Sequence, residues 1–137
     1  MTPKLIKGSL HQDDRGKLLF NNNFDATLVK RFYIIENHNI DFKRGWQGHR
    51  LEQRWFSAVQ GSFIISLIKI DNWENPSKNA EKTTFFINDS ELNVLNIPKG
   101  YISCIQSTTM NSKLIVFADY LLGELNDEYR YDIDYFQ

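Results

Sequence analysis

The chain has 137 residues, 42% of them apolar and 14% aromatic, which is the make-up of one folded domain and excludes a disordered polymer. Its net charge of -1 carries no basic excess, so neither nucleic acid nor an anionic membrane surface is an expected partner. A single cysteine, Cys104, excludes an internal disulfide and favours a reducing compartment.

From the N-terminus, Met1–Leu10 is polar and interrupted by Pro3 and Gly8, unlike a secretion signal. No apolar run approaches the ~20 residues of a membrane span, so a soluble, cytoplasmic protein is expected. "PKLIKGSL" (Pro3–Leu10) reads as a first strand that needs a sheet edge to join. The turn "DDRG" (Asp13–Gly16) leads into "KLLF" (Lys17–Phe20), and the Asn-rich Asn21–Asn23 precedes "VKRFYII" (Val29–Ile35). After Gln60-Gly61 comes the longest β-branched run, "SFIISLIKI" (Ser62–Ile70). "TTFFI" (Thr83–Ile87), "LNVLNI" (Leu92–Ile97) and "KLIVFADY" (Lys113–Tyr120) follow, separated by turn chemistry such as "NWENPSKN", "NDS", "PKG" and "MNS".

Strands at this spacing, with almost no helical periodicity, predict an all-β sandwich or barrel. No linker, repeat or break in composition divides the chain, so residues 1–137 are expected to form a single domain. The acidic and aromatic tail "NDEYRYDIDYF" (Asn126–Phe136) is expected either as a packed cap or as a short helix over one barrel end. Cys104, inside the apolar run Ile102–Ile105, is expected to be a buried small residue rather than a nucleophile. His11 and His38 lie among polar, turn-like neighbours and are expected on the surface.

The stretch "FKRGWQGHRLEQRWFSAVQGSF" (Phe42–Phe63) has the spacing of the first cupin motif, H-x-H, four residues, an acid, six residues and a glycine. Those positions fall on Gln47, His49, Arg54 and Gly61, and the second motif, P-x-G-x-x-H, falls on Pro98, Gly100 and Ser103. The turn-forming residues are kept, whereas His49 alone remains of the usual ligands. One imidazole beside an arginine cannot hold a divalent ion that wants three or four donors, so a metallo-cupin is not expected. The chain resembles the metal-free cupins that rearrange nucleotide-linked keto sugars, namely the 3,4-ketoisomerases and, more distantly, the dTDP-4-dehydrorhamnose 3,5-epimerases. "DDRGKL" (Asp13–Leu18), Lys30–Tyr33, "RGWQGHR" (Arg44–Arg50), Asp119-Tyr120 and the acidic, aromatic tail carry this resemblance in order.

The resemblance implies a cupin (double-stranded β-helix, jelly-roll-type) barrel, a homodimer without cofactor or metal, and a nucleotide-linked sugar as substrate. It implies a dTDP-4-keto-6-deoxyhexose ketoisomerase or epimerase of surface-polysaccharide synthesis. Moving a proton next to a keto group requires a base that titrates near neutrality, and His49 is the candidate. On a strand Gln47 and His49 share a face, so Gln47 is expected to hydrogen-bond the sugar beside the base. Tyr33 and Tyr120 are candidate proton donors to the charge that develops on oxygen; packed barrel tyrosines are the plainer alternative, more so for Tyr33. Arg44, Arg31 and Arg15 are candidate pyrophosphate ligands, and Ser103 a substrate contact. Arg54 is grouped with the substrate-binding residues, but its odd separation from Gln47 puts the two on one face only if a bulge intervenes. Trp46 and Trp55 are expected either to flank the pocket or to serve as core or dimer contacts. Because Gln47 and Ser103 replace histidines of the motifs, a catalytically inactive nucleotide-sugar or carbohydrate-binding cupin is the alternative function.

Overall fold

The computed structural model describes residues 1–137, and every regular element in it is a strand. In chain order these are β1 (Lys4–Ile6), β2 (Ser9–Asp13), β3 (Gly16–Phe20), β4 (Arg31–Ile35), β5 (Arg44–His49) and β6 (Arg54–Gln60). They continue with β7 (Ser62–Lys69), β8 (Thr83–Asn88), β9 (Val94–Ile97), β10 (Tyr101–Ser107), β11 (Lys113–Ala118) and β12 (Glu128–Arg130). Two five-stranded antiparallel sheets, in the orders β1-β9-β6-β11-β4 and β12-β5-β10-β7-β8, form the barrel expected of a cupin, and β2-β3 stands apart as a hairpin.

Alternation along the strands decides what lies between the sheets. In β11, Leu114, Val116 and Ala118 point inward and are fully buried, while Ile115 and Phe117 point out and are half-buried. Phe56, Phe63, Ile65, Leu67, Leu95 and Ile97 meet them in the main core. The turn from β6 to β7 needs Gly61, which has φ +74° and lies so close to the Ser112 hydroxyl that a Cβ would overlap it. That turn returns the chain within the cupin motif.

The N-terminal run does not form one strand. Gly8 sits at a crossing where its N–H donates to Asn93 Oδ1 at 2.8 Å, and the chain divides there into β1 and β2. β1 finds its edge within the same chain, on β9, through Lys4↔Asn96 to Ile6↔Val94. The sheet edge that this strand needs is therefore supplied by its own chain. The strand expected over Val29–Ile35 begins only at Arg31, because Val29 N–H closes a turn on the Ala26 carbonyl at 3.0 Å. The strand expected to reach Tyr120 ends at Ala118.

The tail forms a cap and not a helix. β12 pairs with β5, and Phe136 then packs edge-on against Trp46 with ring centroids 5.5 Å apart. The Tyr131 and Tyr135 hydroxyls donate to the carbonyls of Trp73 and Pro76, each at 2.6 Å. Ile68, Ile70, Ile102 and the buried Cys104 complete this second apolar cluster, on the outer face of the sheet that carries β5. Burial pushes the Cys104 thiol up, against the opposite pull of Lys43 and Lys82. Fully burying a side chain such as Phe136 contributes about 2 kcal/mol toward holding the tail on the barrel.

Candidate active site

Strand register assembles the site. β5 lies between β10 and β12, with Gln47 level with Ser103 and Arg130, and His49 level with Tyr101 and Glu128. In the facing sheet, Arg31 of β4 and Arg54 of β6 both stand level with Ala118 of β11. Between the sheets lies a cavity of about 500 Å³ whose walls include Arg31, Tyr33, Arg44, Gln47, His49, Arg54 and Ser103. Seven of the nine residues expected at the site therefore share one cavity, joined by Glu128 and Arg130 from β12.

Arg54 enters it by a route that strand parity misses. β5 ends at His49, the chain crosses to the other sheet over residues 50–53, and β6 starts afresh at Arg54. No bulge is required, because face parity does not carry across two sheets. Two carboxylates shape the crossing. Asp127 accepts the N–H groups of Arg50, Leu51 and Glu52 at 3.0, 2.8 and 3.0 Å, and Asp119 accepts that of Gln53 at 2.9 Å.

His49 is 8% exposed. Its Nδ1 lies 3.2 Å from the Asp127 carbonyl oxygen and 3.2 Å from Glu52 Oε2. A carbonyl can only accept, so Nδ1 carries the proton and Nε2 keeps its lone pair. Burial, then the nearby Arg54 charge, hold the His49 pKa down at about 4, against the pull of Asp127 and Glu128. At neutral pH the ring is a neutral imidazole with a free lone pair, but in the ligand-free protein it is a weaker base than the near-neutral one expected from the sequence, because burial and Arg54 oppose its protonation.

Arg54 is 4% exposed, and its guanidinium stacks over the Phe56 ring at 5.2 Å from the centroid. Its Nη2 is the one buried side-chain nitrogen or oxygen without a hydrogen-bond partner. The Arg54 guanidinium borders the cavity while Nη2 itself is closed off from solvent, so what Arg54 offers a bound molecule is its positive charge more than its free N–H. The other cavity arginines already have partners. Arg31 Nη2 donates to Glu52 Oε1 at 3.1 Å, Arg44 Nε to Asn37 Oδ1 at 3.1 Å and Arg130 Nη2 to Glu128 Oε1 at 3.1 Å.

Two expected residues lie elsewhere. Arg15 sits at the turn of the β2-β3 hairpin, with 84% of its side chain exposed, paired with Asp13 at 2.8 Å, and it lines none of this cavity. Tyr120 follows the end of β11 and borders an adjoining cavity of about 280 Å³ with His49 and Glu52, while its carbonyl accepts Arg31 Nε at 3.1 Å. Tyr33 is the tyrosine of the main cavity, which reverses the order of preference drawn from the sequence. Trp46 and Trp55 alternate away from the cavity, Trp46 onto Phe136 and Trp55 toward Phe24. His11 and His38 are exposed as expected. Gln47 Nε2 donates to Glu128, a partner that sequence spacing does not reveal. No three His, Cys, Asp or Glu side chains converge to hold a metal ion.

The family model described as FdtA, WxcM-like, C-terminal matches residues 1–137. The chain belongs to this family. Among solved structures, a 3,4-ketoisomerase from Helicobacter canadensis is similar at 22% identity, covering 98% of this chain and 95% of that one, with a TM-score of 0.73. A histidine-to-asparagine mutant of the 3,4-ketoisomerase QdtA from Thermoanaerobacterium thermosaccharolyticum, in complex with TDP-4-keto-6-deoxyglucose, is similar at 24% identity. It covers 98% and 91% of the two chains with a TM-score of 0.73. A dTDP-4-dehydrorhamnose 3,5-epimerase from Bacillus anthracis, with TDP and PPi bound, is similar at 13% identity over 97% and 75% with a TM-score of 0.69. No curated protein matches significantly. These likenesses place this FdtA-family chain among the cupin-like folds.

Proposed function

We propose that this FdtA-family protein is an isomerase that moves a proton next to the keto group of a nucleotide-linked sugar, with His49 as the base. The observation that carries this is the pairing, across one cavity, of a neutral, oriented imidazole on one sheet with a buried guanidinium on the other. His49 Nε2 takes a proton from the carbon beside the carbonyl; as the C–H bond breaks, its electrons move onto the keto oxygen. The positive charge of Arg54, bordering the same cavity, stabilises the enolate. The proton returns to a neighbouring position from His49 or from the Tyr33 hydroxyl, giving the rearranged keto sugar. Arg44 and Arg130 suit the diphosphate, and Gln47 and Ser103 the sugar hydroxyls.

The family match and the ligands named for its structural relatives support a dTDP-4-keto-6-deoxyhexose as substrate and a 3,4-ketoisomerase or epimerase outcome. The family resemblance likewise supports a homodimer acting in the cytoplasm, in surface-polysaccharide synthesis. Gln47 and Ser103 favour the alternative of a sugar-nucleotide-binding protein without turnover, because neither can titrate. Incubation with dTDP-4-keto-6-deoxyglucose in D2O, followed by NMR, tests the proposal: deuterium should enter beside the carbonyl. Binding of the nucleotide sugar without any exchange would favour the alternative.

A further inference from the structure

Glu52 is a carboxylate only 7% exposed, in a chain whose cupin spacing places the motif acid two residues later, where Arg54 stands. One of its oxygens accepts Arg31 Nη2 at 3.1 Å and the other lies 3.2 Å from His49 Nδ1. Its backbone N–H is bound by Asp127, so the side chain is aimed by the crossing loop itself. Burial pushes the Glu52 carboxyl up, while Arg31 and Arg54 hold it down. An apolar residue would fill the same space without the desolvation cost of a buried charge. A carboxylate here does what an apolar residue cannot, which is to stabilise positive charge on the adjacent ring.

We propose that Glu52 is the positioning residue of His49: its carboxylate, 3.2 Å from Nδ1 and beside the Asp127 carbonyl that accepts the Nδ1 proton, fixes the ring toward the main cavity and stabilises the imidazolium that forms when Nε2 takes the substrate proton. This rests on the proton-transfer chemistry proposed above. In that step the substrate C–H bond breaks and the Nε2–H bond forms, and the Nδ1 proton stays on the ring, donated to the Asp127 carbonyl with the Glu52 carboxylate alongside. Arg31 is the second contact that keeps the carboxylate in place. The charged groups facing His49 are then Glu52 from the crossing loop, Arg54 from β6, and Asp127 and Glu128 from the tail, with Arg31 of β4 behind Glu52.

The substitution Glu52→Gln keeps size and an acceptor oxygen but removes the charge, and Glu52→Asp keeps the charge on a shorter arm. In the ligand-free protein, the His49 Nδ1–H proton resonance should move upfield in Glu52→Gln, because losing the negative charge 3.2 Å away weakens the polarisation of the Nδ1–H bond donated to the Asp127 carbonyl. Deuterium exchange into dTDP-4-keto-6-deoxyglucose should fall in kcat by about tenfold or more with KM nearly unchanged, and Glu52→Asp should recover part of it. The loss should stay below the ~10⁴-fold found where an orienting aspartate is replaced in a serine-protease triad, since the Asp127 carbonyl still holds Nδ1. If the wild type exchanges deuterium and folded Glu52→Gln matches its kcat, the role assigned to Glu52 is overturned while the proposed function stands. If the wild type shows no exchange, the proposed function fails; an upfield move of the resonance would then still support the Glu52–His49 pairing, and an unmoved one would overturn it.

Discussion

Replacing Arg54 by Met separates what this residue costs the fold from what it supplies to the site. Arg54 is 4% exposed, with Nη2 unpaired and the guanidinium resting on Phe56 at 5.2 Å. An unsatisfied buried donor costs about 1–3 kcal/mol. The lost cation–π contact gives back about 0.5–1 kcal/mol. Arg54→Met fills a similar volume, so the ligand-free protein should gain about 1–2 kcal/mol, or roughly 3–7 °C in Tm for a chain of this size. Chemistry should move the other way. Losing the positive charge that stabilises the enolate should lower the deuterium-exchange rate by about 10²- to 10³-fold. His49 should also report the change: without the Arg54 charge its pKa should rise from about 4 toward its ordinary value of 6.5. Thermal unfolding, exchange in D2O and NMR titration of the histidines measure these three quantities on one variant. A variant that is less stable, exchanges at the wild-type rate and leaves His49 where it was would refute the reasoning.

His49→Asn should abolish deuterium exchange, a loss of about 10²- to 10⁴-fold, with nucleotide-sugar affinity nearly unchanged; exchange that survives would move the base to Tyr33 or Tyr120. Because burial holds the folded-state pKa of His49 at about 4, below its ordinary 6.5, its contribution is fully present above pH 6.5 and is lost as pH falls toward 4. This loss amounts to about 3 kcal/mol, so denaturant unfolding between pH 7 and pH 4 should show a slope that His49→Asn flattens. The proposed homodimer predicts a light-scattering mass of roughly twice 16.1 kDa at micromolar concentration, and a monomer mass would count against it.

Most of the barrel could be read from the sequence, because strands with one face buried alternate visibly and end at turn residues. β7, β8 and β11 lie where their β-branched runs place them. β10 carries no such mark: six of its seven residues are buried, so its polar and apolar positions do not sort by face. At the site, the same-face pair Gln47 and His49 was legible from a spacing of two, and the arginine of β4 from its strand. Glu52, Asp127 and Glu128 were not. Their roles come from contacts spanning up to 81 residues, and no local pattern encodes which distant segment will pair with β5. Arg54 needs no bulge to reach the cavity for a related reason, since counting along a strand fails once the chain changes sheets.

The crossing between His49 and Arg54 is shaped from outside, by the carboxylates of Asp127 and Asp119 gripping its backbone N–H groups. Nothing in that grip depends on which side chains the loop bears, provided that its N–H groups remain. Arg50 and Leu51 point to solvent, whereas position 52 and the first residue of β6 point to the base. The loop thus behaves as a socket with two exchangeable fittings, in which the groups beside a fixed imidazole can be swapped while the barrel is left alone. Altering the reactivity of this scaffold, by descent or by engineering, therefore takes substitutions at two positions rather than a new backbone.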